Sequence, residues 1–207
     1  MSMTLAKLLP LAFVMIAGPQ ILSAIFLATT ENWRKNTLAF VAGAGLSVTI
    51  VVSIGYLLSA GASNQGASNN TLDIIILVLL FAAALHKFLT RKQSKPPKWM
   101  GKLETIKPKG AIKLGFLLLG VFPTDILTAI AVGGYASTHG EPWWHIFGFV
   151  LLTLLLVALP ALMILVFGKK AENAMPKVRD WMNNNSWVVS EIVLALFIAL
   201  TAKSLAG

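Results

Sequence analysis

One acidic residue, Asp125, lies inside the long apolar stretch 111–135, where few other side chains could do chemistry. An ionised group in the core of a bilayer costs at least roughly 2.5–3.5 kcal/mol, so it should face the protein interior or a water-filled cavity. Thr128 follows Asp125 by three residues and Thr124 by four, which places all three on one side of a helix. Pro123 lacks a backbone donor and frees a carbonyl one turn earlier. We interpret these oxygens as a candidate cation or proton site.

A similar segment occurs near the start of the chain. Residues 18–27 read GPQILSAIFL, and residues 122–132 read FPTDILTAIAV. The block ILSAI in the first corresponds to ILTAI in the second, and a proline precedes both blocks. Gln20 therefore stands where the second copy has Asp125. We expect Gln20 and Ser23 to form the surface opposite the acid, with Pro19 and Pro123 as the two helix breaks.

Each of these residues also has a purely structural interpretation. Serine and threonine in membrane helices often bond their own backbone or a neighbouring helix, and Gln20 could do the same. Asp125 could be a neutral carboxyl that makes one interhelical hydrogen bond. Glu191, about five residues into the last apolar segment, is a second candidate for substrate or ion binding. It could instead pair with a nearby base, the choices being Lys169, Lys170 and Arg179.

Other kinds of site find no support in the sequence. The chain has no cysteine, which excludes disulfides and thiolate metal sites. Its histidines and acids have no metal-ligand spacing, and no nucleophile motif or phosphate-binding loop is present. We therefore expect no enzyme and no cofactor beyond a coupling proton or cation.

The composition identifies the class of protein that positions these residues. Of the 207 residues, 57% are hydrophobic and 12% are charged, which is too apolar for a soluble domain. Six apolar segments are each long enough to cross a bilayer. We predict an all-α integral membrane protein with six transmembrane helices, at roughly 5–29, 36–60, 72–90, 111–135, 143–168 and 186–205.

The positive charges predict the orientation. With six spans, all but two of the 17 lysines and arginines fall on one side, the exceptions being Lys7 and Lys203. The positive-inside rule then puts both termini outside the cell membrane and the basic loop 91–110 in the cytoplasm. This loop could attract anionic lipid head groups or dock a cytoplasmic partner. Topology accounts for the net charge of +9, so we do not expect nucleic acid binding.

The similarity between the two copies extends over the whole chain. FVAG at 40–43 corresponds to HIFG at 145–148, and ILVLLFAAALHK at 76–87 resembles IVLALFIALTAK at 192–203. We therefore divide the chain into a half at 1–90, the loop 91–110 and a half at 111–207. Three helices per half is an odd number, so the halves would have inverted topology, as in many transporters. Gln20 and Asp125 would both lie near the membrane midplane.

Small residues predict close helix packing in the second apolar segment. Ala39, Gly43 and Ser47 follow one another at four-residue spacing, which lets helix backbones approach closely. We favour packing within the chain, and a homodimer face is the alternative.

These motifs resemble the glycolipid or sulfolipid addressing (GAP) family of the lysine exporter (LysE) superfamily. The resemblance is carried by LLPLAFVMIAGPQILSAIFLATTENWRKNTLAFVAGAGLSV at 8–48 and by GFLLLGVFPTDILTAIAVG at 115–133. It implies a small six-helix transporter built of two inverted three-helix halves. Family members are linked to moving envelope glycolipids outward, in part as accessory factors to larger exporters.

Three functions follow as hypotheses. The first is a transporter that moves envelope lipid or glycolipid by alternation of the two halves around the midplane site. The second is a proton- or cation-coupled exporter of a small polar solute, such as an amino acid or an ion. The third is a scaffold that recruits a larger exporter through the 91–110 loop. A lipid mover should have an apolar groove that opens sideways, whereas a solute exporter should have a closed aqueous cavity.

Overall fold

The computed structural model describes residues 5–16, 18–60, 102–103 and 105–185, together with positions 188, 195 and 199. Within these residues the protein is built of helices joined by short turns. The helices are α1 Leu5–Ile16, α2 Pro19–Ala28, α3 Trp33–Ala60, α4 Pro108–Gly120, α5 Pro123–Thr138, α6 Ile146–Phe167 and α7 Lys169–Asn184. A short 3-10 turn, Trp143–His145, leads into α6.

The all-helical membrane class is confirmed, and the described residues account for part of the six expected spans. Two helices are long and apolar enough to cross a bilayer, α3 and the segment Trp143–Phe167. A third is obtained if α4 and α5 form one broken span. The first expected span, 5–29, is divided into α1 and the short apolar helix α2. The expected spans 72–90 and 186–205 and most of the loop 91–110 lie outside the described residues.

Both predicted helix breaks are present, and each lies just before its proline. In the first copy, α1 ends at Ile16 and Gly18 has φ 107° and ψ −134°, a conformation that only glycine adopts without strain. In the second copy, α4 and α5 are bent by 68° relative to each other. Pro19 and Pro123 each occupy the first turn of the following helix, where the missing N–H has no intrahelical partner to lose. The prolines therefore start the second half-helices.

Helix α3 packs against the broken pair α4–α5 with its backbone in close contact at several glycines. A Cβ atom added to Gly43 would overlap the carbonyl oxygen of Ile112, and one added to Gly115 would overlap that of Phe40. The same happens further along, where Gly133 of α5 faces the carbonyl oxygen of Val52. The close packing predicted around Gly43 is therefore used within the chain.

Each unbroken helix packs on the broken helix of the other half. Helix α3 contacts both α4 and α5, and α6 contacts both α1 and α2. The central cluster of buried side chains draws on all of these helices and includes Met15, Leu27, Phe40, Leu119 and Phe149. The two halves of the sequence thus share one hydrophobic core.

Helix α7 was not predicted, because its segment was interpreted as a basic connection. Its charged residues keep its hydrophobicity low, yet Ala171, Met175 and Met182 are buried on one face. They pack with α2 residues, including Phe26, in a second apolar cluster. The guanidinium of Arg179 lies 5.0 Å from the centre of the Phe26 ring, a cation–π contact. Helix α7 therefore lies against α2 and α6.

Candidate functional site

The two copies of the repeated segment meet through the residues that differ between them. The side-chain amide nitrogen of Gln20 donates a hydrogen bond of 2.6 Å to Oδ2 of Asp125. Both side chains are buried, with 1% of their surface exposed. The two residues occupy equivalent positions 105 residues apart. The two segments are therefore in direct contact through these side chains.

Gln20 and Asp125 both lie in the first turn of a half-helix. Asp125 is the acidic residue in the first turn of α5, and Gln20 directly follows Pro19 at the start of α2. Helix N-termini carry unpaired N–H groups and partial positive charge, which favour a negative group nearby. Asp125 lies at such a position in α5. The same arrangement is how broken helices in transporters present binding groups within the membrane.

Gln20 also reaches the carbonyl end of the second break. Its amide nitrogen lies 3.4 Å from the carbonyl oxygen of Leu118, in the last turn of α4. A carbonyl at a helix end has no intrahelical donor, so a side chain must supply one in an apolar setting. One amide group of the first half thus contacts both sides of the break in the second half.

One polar atom at this contact has no partner. The side-chain oxygen of Gln20 is fully buried and forms no hydrogen bond. A buried carbonyl oxygen without a donor costs free energy unless something occupies its lone pairs. This unbonded oxygen could accept a hydrogen bond from a proton-bearing group or bind a cation.

The hydroxyl groups of the candidate site mainly bond their own helices. Ser23 donates to the carbonyl of Pro19 at 2.6 Å, and Thr128 donates to that of Thr124 at 2.8 Å. These matching bonds satisfy a backbone carbonyl in each half-helix. Only the hydroxyl of Thr124 reaches the acid, donating to Oδ1 of Asp125 at 3.3 Å. The structure therefore brings Gln20, Thr124 and Asp125 together and leaves Ser23 and Thr128 as backbone partners.

No positive charge neutralises the acid within the described residues. Asp125 forms no ion pair there, and its partners are one amide and one hydroxyl. No group of three or more His, Asp or Glu side chains in those residues could hold a metal ion. Glu191, the second acidic candidate, lies outside the described residues. What is described is a single buried carboxyl at the junction of two broken helices.

Two apolar crevices open sideways between helices. The larger has a volume of about 510 Å³ and lies between α3 and α4, with Leu46, Phe116 and Leu117 in its wall and Lys113 beside them. The smaller, about 230 Å³, lies between α3 and α6 near Trp33 and Arg34. Neither crevice was predicted by residue. For the larger crevice, the sequence offered one indication, the small residues Ala42 and Gly43 on α3 together with the basic residue Lys113 on α4.

Comparison with known families agrees with the sequence resemblance. The family model described as Sap, sulfolipid-1-addressing protein, matches residues 8–205, which is nearly the whole chain. No curated protein and no solved structure matches it. Membership of the wider lysine exporter superfamily stays a prediction. The match over both broken helices and both unbroken ones shows that this chain belongs to the sulfolipid-1-addressing protein family.

Proposed function

We propose that this membrane protein is a transporter that moves an envelope lipid across the bilayer by alternation of its two halves. The hydrogen bond between Gln20 and Asp125 carries the proposal, because it joins the two broken helices at their breaks. Broken helices paired across two halves are the usual setting of transporter binding sites. A movement of one half against the other would have to separate or re-form this bond.

The packing between halves supports the same mechanism. Helix α3 rests on α4–α5 and α6 rests on α1–α2, so each half holds the broken helix of the other. Two inverted repeats related by an axis in the membrane plane would produce such reciprocal contacts. In the proposed cycle these contacts form the surface along which the two halves move against each other.

An envelope lipid is the cargo class that the surfaces favour. Both crevices are lined by apolar side chains and open towards the surface between helices, as a lipid entering from the bilayer would require. The description of the family names a sulfolipid, and we extend that only to the class of an amphiphilic envelope lipid.

A proton- or cation-coupled cycle is the second candidate, and the unpaired oxygen of Gln20 favours it. This atom belongs to the side chain that is hydrogen-bonded to Asp125, and no base among the described residues neutralises the acid. A bound proton or small cation would satisfy both groups and could couple to the movement of the halves. The cargo of the first candidate is an envelope lipid, and that of the second is a small polar solute. In both candidates Asp125 is the group that would bind a coupling ion.

The test is transport by the Asp125→Asn variant in proteoliposomes. The substitution keeps an oxygen that can accept the Gln20 hydrogen bond and removes only the ability to ionise. We expect translocation of a fluorescent lipid analogue to fall at least about tenfold, equivalent to ~1.4 kcal/mol on the barrier. Asp180→Asn, at an exposed acid on α7, is the matched control and should leave the rate unchanged. A wild-type rate in Asp125→Asn would refute the role of the acid.

A further inference from the structure

The crevice between α3 and α6 shares two lining residues with a polar depression, called the basin below. This crevice, called the slot below, has apolar walls. One wall is formed by α3 with Trp33, Thr37 and Val41, and the other by α6 with Ala158, Ala161 and Leu165. The basin, about 320 Å³, is formed by residues 31–35. Trp33 and Arg34 line both. An apolar slot and a polar basin therefore share one boundary.

The basin carries an excess of positive charge. It contains Arg34 and Lys35, with Glu31 as the acidic group beside them. Arg34 forms no ion pair with any described residue, and its guanidinium lies 5.2 Å from the centre of the Trp33 ring. A cation–π contact of this kind leaves the guanidinium N–H groups available to oxygen ligands. Such a guanidinium binds a phosphate or sulfate through two parallel hydrogen bonds.

The surroundings suit a molecule that is half apolar and half charged. Tryptophan prefers the boundary between hydrocarbon and head groups, which places Trp33 where the slot meets the basin. The rim of the slot is formed by exposed leucines, Leu38 and Leu165, which would otherwise contact lipid. Clustered basic residues at this depth attract anionic head groups. The charge selects an anionic lipid over a zwitterionic one.

We propose that this slot and basin bind one anionic membrane lipid, with an acyl chain between α3 and α6 and its charged head group on Arg34. The site is separate from the Gln20–Asp125 contact, and binding there does not depend on whether the lipid is later translocated. Lys35 adds positive charge at the basin. The carboxylate of Glu31 would repel any further negative charge on the head group.

The experiment uses the full chain in phosphatidylcholine vesicles that contain a photoactivatable lipid. One set carries phosphatidylglycerol with a diazirine on its acyl chain, and the other carries phosphatidylcholine with the same group. Labelled peptides are identified by mass spectrometry. We expect phosphatidylglycerol to label residues 33–41 and 158–165 well above phosphatidylcholine.

Three variants and two controls separate the head-group and acyl-chain parts of the site. Arg34→Gln should reduce the phosphatidylglycerol labelling about tenfold, as loss of a charge-assisted hydrogen bond predicts. Arg34→Lys keeps the positive charge and should retain much of the phosphatidylglycerol labelling. Retained labelling would show that a substitution at this position does not by itself unfold the protein. Ala158→Phe should block the slot and reduce labelling by both lipids. Lys109→Gln and Ala131→Phe, at exposed positions that do not line the slot, are the matched controls for charge and for size.

Three outcomes would overturn the proposal. One is equal labelling of the wild type and Arg34→Gln by phosphatidylglycerol. Another is labelling spread evenly over all exposed helices, which would mean bulk lipid contact. The third is a disulfide-linked dimer formed by the single-cysteine variant Leu38→Cys at the rim, since a second protein molecule would then fill the slot. Each readout is independent of transport, so it can fail while the transport proposal stands.

Discussion

At the residue scale, the repeat predicted the most informative contact in the molecule. Two residues at equivalent positions of a two-fold related repeat can meet on its axis, and Gln20 and Asp125 do meet. The sequence could not predict that the Gln20 amide would also contact the carbonyl of Leu118, because that depends on the bend between α4 and α5. It also left open whether Ser23 and Thr128 line the site. Their bonds to backbone carbonyls one turn away agree with the structural interpretation.

Exchanging the two partners tests whether the pair acts as a unit. Gln20→Leu removes the amide donor and leaves the buried carboxyl with only the Thr124 hydroxyl, which should lower the free energy of unfolding by about 1.5–3 kcal/mol. The double variant Gln20→Asp with Asp125→Gln restores one amide and one carboxyl and should lose much less. Unfolding in detergent, followed by circular dichroism, measures both.

Ser23→Ala is the control for that exchange, since it removes only a local bond to the Pro19 carbonyl. We expect it to change the stability by less than about 1 kcal/mol. If the exchanged double variant were as unstable as Gln20→Leu, the two positions would not be interchangeable and the symmetric interpretation of the contact would be wrong.

At the scale of helices, apolar runs and prolines predicted most boundaries but missed the polar helix. Predicted and observed starts of α3 and α4 differ by three residues, because Trp33–Lys35 and Pro108–Gly110 are polar or helix-starting residues that an apolar count excludes. Helix α7 was missed because a surface helix bound to apolar neighbours through a few residues has no apolar run. The spacing of Ala171, Met175 and Met182 was its only signal.

The glycine crossings make a sharper prediction at the same scale. Gly115→Ala places a methyl group against the carbonyl oxygen of Phe40, which belongs to backbone and cannot move aside. Helices α3 and α4 would have to separate, and we expect a loss of about 1–3 kcal/mol in the free energy of unfolding. Thermal unfolding in detergent measures it.

Gly148→Ala on α6 is the matched control for the crossing. Its added methyl group would meet only a side-chain carbon of Leu8, at 3.8 Å. Alanine is favoured over glycine inside a helix by roughly 0.5–1 kcal/mol, so this variant should be neutral or slightly stabilised. Equal destabilisation by both variants would show that loss of glycine itself, and not the crossing with α3, sets the stability.

At the scale of the whole molecule, the halves are joined more firmly to each other than a simple tandem arrangement would require. The unbroken helix of each half buries its small-residue or apolar face on the broken helix of the other. A half alone would expose these faces, together with the polar groups of Gln20 or Asp125. The sequence indicated two halves, but it could not show that each unbroken helix packs on the broken helix of the other half. Matching segments show which residues are equivalent, but they do not show which helices are in contact.

Separate expression of the two halves tests these reciprocal contacts. We expect 1–90 and 91–207, produced alone, to be degraded or to aggregate, because neither can bury its contact face. Produced together in one membrane, they should co-purify through a tag on either half and recover lipid translocation. Gly133→Leu, which would drive a side chain into the Val52 carbonyl, should prevent co-purification, whereas Gly148→Ala should not. Stable, separately folded halves would contradict a shared core and would place the Gln20–Asp125 bond at an ordinary domain boundary.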